Sequence, residues 1–319
     1  MAGEFDLIRR HFARATPATT LGPGDDCALL TPSPGQTLAV TTDMLVAGVH
    51  FAPDADPEGL GWKTLAVNVS DLAAMGAKPR WALLAGALPN ADDDWIGAFA
   101  RGFFACAARY QLDLVGGDTT RGPLTLSVTA IGELPAGLAL RRDGAREGDD
   151  LWISGTPGLA ALALAARQGR TTLPATLRSA CDTALDTPTP RVELGLALRE
   201  EHLAHAAIDV SDGLLADLTH ILVRSALAAE VDLGELAPAP EGVASALWHD
   251  CLLAGGDDYE LLFTAPSAHR QAIAALAKRL ALPLTRCGRL HAGTPGALSV
   301  RNRNGDPLTL TRRGYDHFG

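Results

Sequence analysis

Apolar and polar positions recur along this chain with two different periods, and the changes of period mark its elements. Phe5, Ile8 and Phe12 fall on one face of a short helix predicted over 4–15. A glycine-rich loop follows at 22–26. Residues 37–42 (Thr-Leu-Ala-Val-Thr-Thr) predict a strand that delivers Asp43 at its end. Asp56 and Pro57 read as the N-cap and first position of a helix that runs to about Met75 and stops at Gly76, with Pro79 beyond. Residues 80–88 predict a strand. Asp92 begins another helix, with Trp95, Ile96, Phe99 and Phe103 at helical spacing, and these aromatic residues, with Trp62 and Trp81, read as core. Strands are expected at 111–115 and 124–134, the second alternating apolar and polar.

Gly, Arg and Asp collect over 135–150, where the domain boundary is placed. The pattern restarts with a strand at 150–154, helices near 157–168 and 173–185, and a third opened by Thr189 and Pro190. A strand over 206–210 carries Asp209 near its end, and Gly213 leads into a helix through about 226. A strand at 259–264, a helix at 267–281 and short strands after 284 close the chain. Strands and helices mix in both halves, so the class is α/β, or α+β with mixed sheets. Val-Ser-Asp-Leu at 69–72 and Val-Ser-Asp-Gly-Leu at 210–214 are alike, but one pair does not establish duplicated halves.

Composition narrows the function. A chain of 319 residues suits two domains better than one. Its formal charge of −10 argues against nucleic acid or an anionic membrane as partner, since both want basic surfaces. A nucleotide ligand stays open, because bound divalent cations invert the local sign. Cys27, Cys106, Cys181, Cys251 and Cys287 are far apart and odd in number, which fits a reducing cytoplasm rather than a disulfide framework or zinc site. The first residues hold no apolar signal core, and the apolar stretch 158–166 is shorter than the roughly 20 residues that span a bilayer. A soluble, cytoplasmic protein is expected.

The acids themselves are the strongest signal. They gather beside Gly, Ser and Thr: Gly-Pro-Gly-Asp-Asp at 22–26, Thr-Thr-Asp at 41–43, Asn-Val-Ser-Asp at 68–71, Gly-Gly-Asp-Thr-Thr-Arg at 116–121, Asp-Val-Ser-Asp-Gly at 209–213 and Gly-Gly-Asp-Asp-Tyr-Glu at 255–260. Carboxylates, hydroxyls and open backbone together are what hard cations and phosphates require. Each segment also has a plainer reading. Asp25 and Asp26 fit a solvated turn, and Asp43 fits a cap on the next element. Asn68 and Asp71 fit a narrow polar stripe, and Gly116 and Gly117 an ordinary loop. Arg141 and Arg142 fit surface charge, and His50 a structural histidine. No Gly-x-x-x-x-Gly-Lys-Ser/Thr, kinase His-Arg-Asp or Gly-x-Ser-x-Gly occurs, so any use of ATP would run through carboxylate-bound magnesium rather than a lysine cradle.

Five strings in order carry a resemblance: Gly-Asp-Asp-Cys-Ala-Leu-Leu at 24–30, Thr-Thr-Asp-Met-Leu-Val-Ala-Gly-Val-His-Phe at 41–51, Ser-Asp-Leu-Ala-Ala-Met-Gly-Ala at 70–77, Gly-Gly-Asp-Thr-Thr-Arg-Gly-Pro-Leu at 116–124 and Asp-Val-Ser-Asp-Gly-Leu at 209–214. With them the chain resembles the thiamine-monophosphate kinases, in the superfamily that includes aminoimidazole ribonucleotide synthetase. The likeness runs from Gly-Glu-Phe at 3–5 to Gly-Tyr-Asp-His-Phe at 314–318. It implies a two-domain aminoimidazole ribonucleotide synthetase-like fold. Residues 1–137 would bind ATP and magnesium and pair across a homodimer, and residues 138–319 would complete the substrate site. It implies transfer of the γ-phosphoryl group of ATP to thiamine monophosphate, with several magnesium ions. Their implied ligands are Asp26, Thr41, Thr42, Asp43, Asp71, Asp118, Asp209 and Asp212, with Asp43, Asp118 and Asp212 as the catalytic acids. Gly117, Asp118, Arg142 and Ser211 would contact the nucleotide, and His50, Asp257 and Tyr315 would lie toward the thiamine. The family usually has Glu where this chain has Asp257. Two rivals remain, another ATP-using synthetase of the superfamily and a non-catalytic nucleotide- or metal-binding partner protein.

Overall fold

The computed structural model describes residues 4–308, 312, 314 and 315. Gly3 and 316–318, at the ends of the matched strings, lie outside them. The chain divides into two compact units, Met1–Leu72 with Ala77–Leu138, and Ala73–Gly76 with Ala139–Gly319.

The first unit opens with helix α1 (Glu4–Leu7), continued by a π-helical stretch over Ile8–Phe12. Strand β1 (Gln36–Val46), helix α2 (Pro57–Ala74), strand β2 (Lys78–Leu88), helix α3 (Asp93–Tyr110) and strands β3 (Asp113–Arg121) and β4 (Thr125–Pro135) follow. The sheet order is β1-β4-β2-β3, so β1 and β3 are its two edges. β2 and β3 run parallel, joined by α3, and the other pairs are antiparallel. Both long helices start where capping chemistry places them. The Asp56 carboxylate accepts the Gly59 N–H at 2.7 Å, and that of Asp92 accepts the N–H groups of Asp94 and Trp95 at 3.1 Å each. Trp81, Phe99 and Phe103 are buried as expected, whereas Trp62 and Trp95 are half-buried.

α2 and α3 meet backbone to backbone. A Cβ on Gly61 would lie 2.0 Å from the Phe99 carbonyl oxygen, and one on Gly102 would lie 1.7 Å from that of Glu58. Only glycine permits this approach, and it draws α2 tight against its neighbour.

The second unit contains β5 (Asp150–Ser154), α4 (Leu159–Arg167), α5 (Ala175–Asp186), α6 (Val192–Glu200), β6 (Ala206–Asp209), α7 (Leu214–Arg224) and β7 (Ala228–Asp232). It ends with α8 (Ser245–Ala254), β8 (Leu261–Ala265), a 3-10 turn (Ser267–His269), α9 (Arg270–Leu280), β9 (Leu284–His291) and β10 (Leu298–Arg301). Its sheet order is β10-β7-β9-β5-β8-β6. Leu151, Ile153, Leu162, Leu218, Ile221, Leu252 and Leu262 are fully buried in its core. Asp150 is fully buried too, and the Arg270 guanidinium binds it through two hydrogen bonds of 2.6 and 2.7 Å. All five cysteines are free thiols. Among the described residues no helix is long and apolar enough to cross a membrane.

Several boundaries move. β1 runs to Val46 because it pairs with β4 over eleven rows, from Gln36 with Pro135 to Val46 with Thr125. Asp43 therefore stands inside the strand, not at its end. β3 likewise continues through Gly116-Gly117-Asp118 to Arg121, where a loop was expected, because parallel pairing with β2 holds it. Pro190 precedes α6 rather than opening it.

Gly102→Ala should destabilise the protein by about 1–3 kcal/mol, the range for overpacking a close contact. Urea unfolding followed by circular dichroism checks this, and an unchanged midpoint would mean that α2 and α3 are not so close.

Candidate active site

In the first unit, β1 and α2 bring three of the expected residues together. The Thr41 hydroxyl donates to Asp71 Oδ2, and the Asp43 N–H donates to Asn68 Oδ1 at 3.0 Å. Asn68 and Ser70 are completely buried, and Asn68 Nδ2 donates to the Thr64 carbonyl at 3.3 Å. The polar interruption in α2 is thus no solvated stripe. It is the surface by which the helix grips β1. Thr42 points elsewhere. Its hydroxyl donates to the Val128 carbonyl at 3.0 Å and accepts from Thr129 at 3.1 Å.

Asp118 is not beside this group. In the sheet register Asp43 shares a row with Val128, Leu84 and Gly117, while Asp118 shares the next row with Ala85, Ser127 and Met44. Adjacent rows send side chains to opposite faces. The two acids also stand on the two edge strands, three strand spacings or about 14 Å apart. A Cβ on Gly117 would meet the Leu84 carbonyl oxygen at 1.8 Å, so contact with β2 alone accounts for glycine there. Asp26 is exposed on its loop, where the Asp26 N–H donates to Asp25 Oδ1 at 2.9 Å. His50 Nδ1 accepts the Val46 N–H at 3.0 Å and closes the turn after β1.

In the second unit the segments 209–213 and 255–260 lie against each other. The Asp257 N–H donates to the Ser211 carbonyl and the Tyr259 N–H to the Val210 carbonyl, both at 2.8 Å. The Tyr315 N–H donates to the Asp212 carbonyl at 2.9 Å. Asp209, Ser211, Asp212, Asp257 and Tyr315 are therefore neighbours, although far apart in sequence. Arg142 is exposed, and its carbonyl accepts the Ser225 hydroxyl at 2.8 Å.

Asp257 and Tyr259 both adopt left-handed backbone, with φ of 67° and 51°. Such residues cost of order 1–3 kcal/mol and need surrounding structure to hold them. Aspartate enters this region more readily than glutamate. The Tyr259 hydroxyl donates to Asp257 Oδ1 at 3.0 Å. Between them, burial pushes the Asp258 carboxyl well up, against the Gly158 N–H that it accepts at 2.8 and 2.9 Å. The buried Glu260 binds the Arg191 guanidinium twice and the Ser154 hydroxyl, fixing the far end of the segment.

Sequence reading missed Asp217. Its Oδ2 accepts three successive N–H groups, from Ser211 at 3.0 Å and from Asp212 and Gly213 at 3.1 Å each. One oxygen thereby locks the whole Ser-Asp-Gly turn. Burial pushes its carboxyl up to about 7, and the Asp212 charge adds to this, while the three N–H groups pull down. Its position in the first turn of a helix opened by Gly213 was the available signal.

Among the described residues no three His, Cys, Asp or Glu side chains stand close enough together to hold a metal. The donors at β1 and α2 nevertheless suit magnesium. They are oxygens only, and magnesium is commonly held by one or two carboxylates with water and substrate phosphates completing its shell.

Comparison with known proteins agrees with this architecture. The family model described as AIR synthase related protein, N-terminal domain, matches residues 24–134, and its C-terminal counterpart matches 146–301. The chain is 45% identical to the thiamine-monophosphate kinase of Salmonella typhimurium, over 99% of this chain and 98% of that one. A crystal structure of thiamine-monophosphate kinase from Stenotrophomonas maltophilia superposes with a TM-score of 0.85 at 51% identity, covering 96% and 98% of the two chains. The structure described as AaThiL complexed with AMPPCP and TMP superposes with a TM-score of 0.77 at 29% identity, covering 99% and 97%. The fold is that of the AIR synthase-related proteins. Within that class, the chain belongs to the thiamine-monophosphate kinase family.

Asp217 also has a pH consequence. A carboxyl whose folded value lies above its unfolded value adds stability at low pH, and this is lost as pH rises through the folded value. Metal-free protein should lose this contribution between about pH 4 and about pH 7. Asp217→Asn should flatten that slope in urea unfolding at several pH values. An unaltered slope would refute the assignment.

Proposed function

We propose that this chain transfers the γ-phosphoryl group of ATP to the phosphate of thiamine monophosphate, giving thiamine diphosphate and ADP. The full-length similarity to thiamine-monophosphate kinases carries the reading. The acceptor is already a phosphate monoester with a second pKa near about 6, so it is largely ionised at neutral pH and needs no general base. The obstacle is repulsion between two polyanions. Magnesium, when bound, would neutralise that charge and help align the phosphates.

The chain's own residues hold and orient. Asp43 and Asp71 are the first ligand pair, fixed by Asn68 and Thr41. Asp212, on the turn that Asp217 locks, Asp209, at the end of β6, and Asp26 are further ligands, and Thr42 is left out because its hydroxyl is taken up by Val128 and Thr129. Ser211, Gly117 and Arg142 serve the nucleotide. Asp257, Tyr315 and His50 serve the thiamine side, His50 through the turn that it closes.

The functional protein in this reading is a homodimer. Leu38, Val40 and Met44 are exposed on one face of edge strand β1, 38%, 63% and 56% accessible, which suits burial against a second copy. The separation of Asp43 from Asp118 points the same way. A partner that joins its β3 edge to this β1 edge would bring its own Asp118 toward Asp43.

Purified protein with ATP, magnesium and thiamine monophosphate should form thiamine diphosphate and ADP in equal amounts. ATP turnover without thiamine diphosphate would favour another synthetase, and no turnover a binding protein. Asp43→Asn should lower kcat at least a thousandfold while the melting temperature holds. Mixing inactive Asp43→Asn with inactive Asp118→Asn protein should regain up to about a quarter of wild-type activity, the share expected if hybrid dimers hold one intact site. No recovery after verified subunit exchange would place both acids in one chain's site.

A further inference from the structure

Between the N-terminal helical stretch and β1 the chain runs through residues 13–35 without helix or strand. Such segments beyond about 12–15 residues are uncommon in compact domains and usually functional. This one is an arm with a stem. The N–H groups of Thr20 and Leu21 both donate to the Leu29 carbonyl, at 3.1 and 3.2 Å, and the Leu29 N–H returns to the Leu21 carbonyl at 2.9 Å. The hydroxyls of Thr20 and Thr31 share a further bond of 2.8 Å. Residues 23–27, Asp26 among them, form the exposed tip.

Both feet of the stem end on buried carboxylates. Asp113 Oδ2, at the start of β3, accepts the Ala18 N–H and the Thr19 hydroxyl, each at 2.8 Å. The indole N–H of the buried Trp81 donates to the Ala18 carbonyl at 3.1 Å. Glu133, near the end of β4, accepts the Ser33 N–H at 2.7 Å and the Ser33 hydroxyl at 3.0 Å, and the Arg80 guanidinium donates to it at 3.0 Å. Asp113 and Glu133 face the same side of the sheet. Asp113 shares a row with Trp81 and Ile131, and Glu133 lies two residues beyond Ile131 on β4. Burying a carboxylate is costly unless it is paired, and the arm supplies four hydrogen bonds that offset the cost.

We propose that Asp113 and Glu133 are positioning residues for Asp26: they pin both feet of the arm and so fix where its tip reaches. The inference rests on the reading of Asp26 as a magnesium ligand. Leu38 shares a row with Glu133, and Asp43 stands five residues further along β1, about 17 Å away. The seven residues from Ser33 back to Asp26 span at most about 25 Å. An arm pinned at Ser33 therefore has the length to carry Asp26 to the level of Asp43. Released feet would leave the tip its length and give it many more directions.

Thr19→Val combined with Ser33→Ala removes one bond at each foot and leaves both carboxylates and Arg80 in place. Calorimetric titration of manganese into protein saturated with AMPPCP should give a constant about fivefold weaker than for the wild type, and at least tenfold weaker for Asp26→Asn. Adding the two foot substitutions to Asp26→Asn should weaken binding no further, because the feet act only through that carboxylate. Thr19→Ser with Ser33→Thr, which keeps both hydroxyls, should bind as the wild type does. A fivefold loss that persists in the Asp26→Asn background would mark a general structural effect and overturn the inference. Wild-type affinity in the foot variant beside a weakened Asp26→Asn would overturn the inference alone. Wild-type affinity in Asp26→Asn itself would end the ligand reading, and the inference with it.

Discussion

The join between helix α2 and strand β1 is the constraint on which the site depends. A helix that is buried along most of its length carries Asn68 and Asp71 toward a strand at the sheet edge. Buried polar groups are costly unless they are paired. Here the pairing is with the strand that bears Asp43, through Asn68 Oδ1 to the Asp43 N–H and Thr41 to Asp71. The acids are therefore placed by the core itself, and the glycine contacts at Gly61 and Gly102 set how closely α2 is held. A helix free to slide by a residue would turn Asp71 away from β1 by about 100°, given 3.6 residues per turn.

The second unit reaches a similar end by a different route. Asp209 ends strand β6, but Asp212 sits on the turn that follows, and such a turn would be mobile if left alone. The Asp217 carboxylate prevents this by taking three N–H groups of the turn. The adjoining segment is strained at Asp257 and Tyr259, and it is held by backbone bonds to Ser211 and Val210 and by the Glu260–Arg191 pair. In the proposed reaction between two anions rigid placement matters, because carboxylates that moved apart would hold cations less well.

Much of this was readable in the sequence. The acid-rich strings, the caps at Asp56 and Asp92 and the mixed α/β character all follow from local patterns. What failed to show was tertiary. Asp43 looked like a strand terminus because Met44, Leu45 and Val46 suit strand or helix, and only pairing with β4 extends β1. The Gly-Gly-Asp string looked like a phosphate loop, yet β2 captures it as strand. β7 (Ala228–Asp232) is short and alanine-rich. α8 is apolar on nearly every side, and Ala244 before it offers no side-chain cap, so neither element carried a periodic signal. Asp217 resembled any acid in a first helical turn until its three partners were seen.

The central claim, that carboxylates fixed by the α2–β1 join hold the cations for this chemistry, is tested most directly by measuring divalent-ion affinity. Calorimetric titration of manganese, as a magnesium surrogate, into protein saturated with AMPPCP should give at least a tenfold weaker constant for Asn68→Ala and for Asp71→Asn than for the wild type. Equal affinity in all three proteins, each folded, would contradict the account.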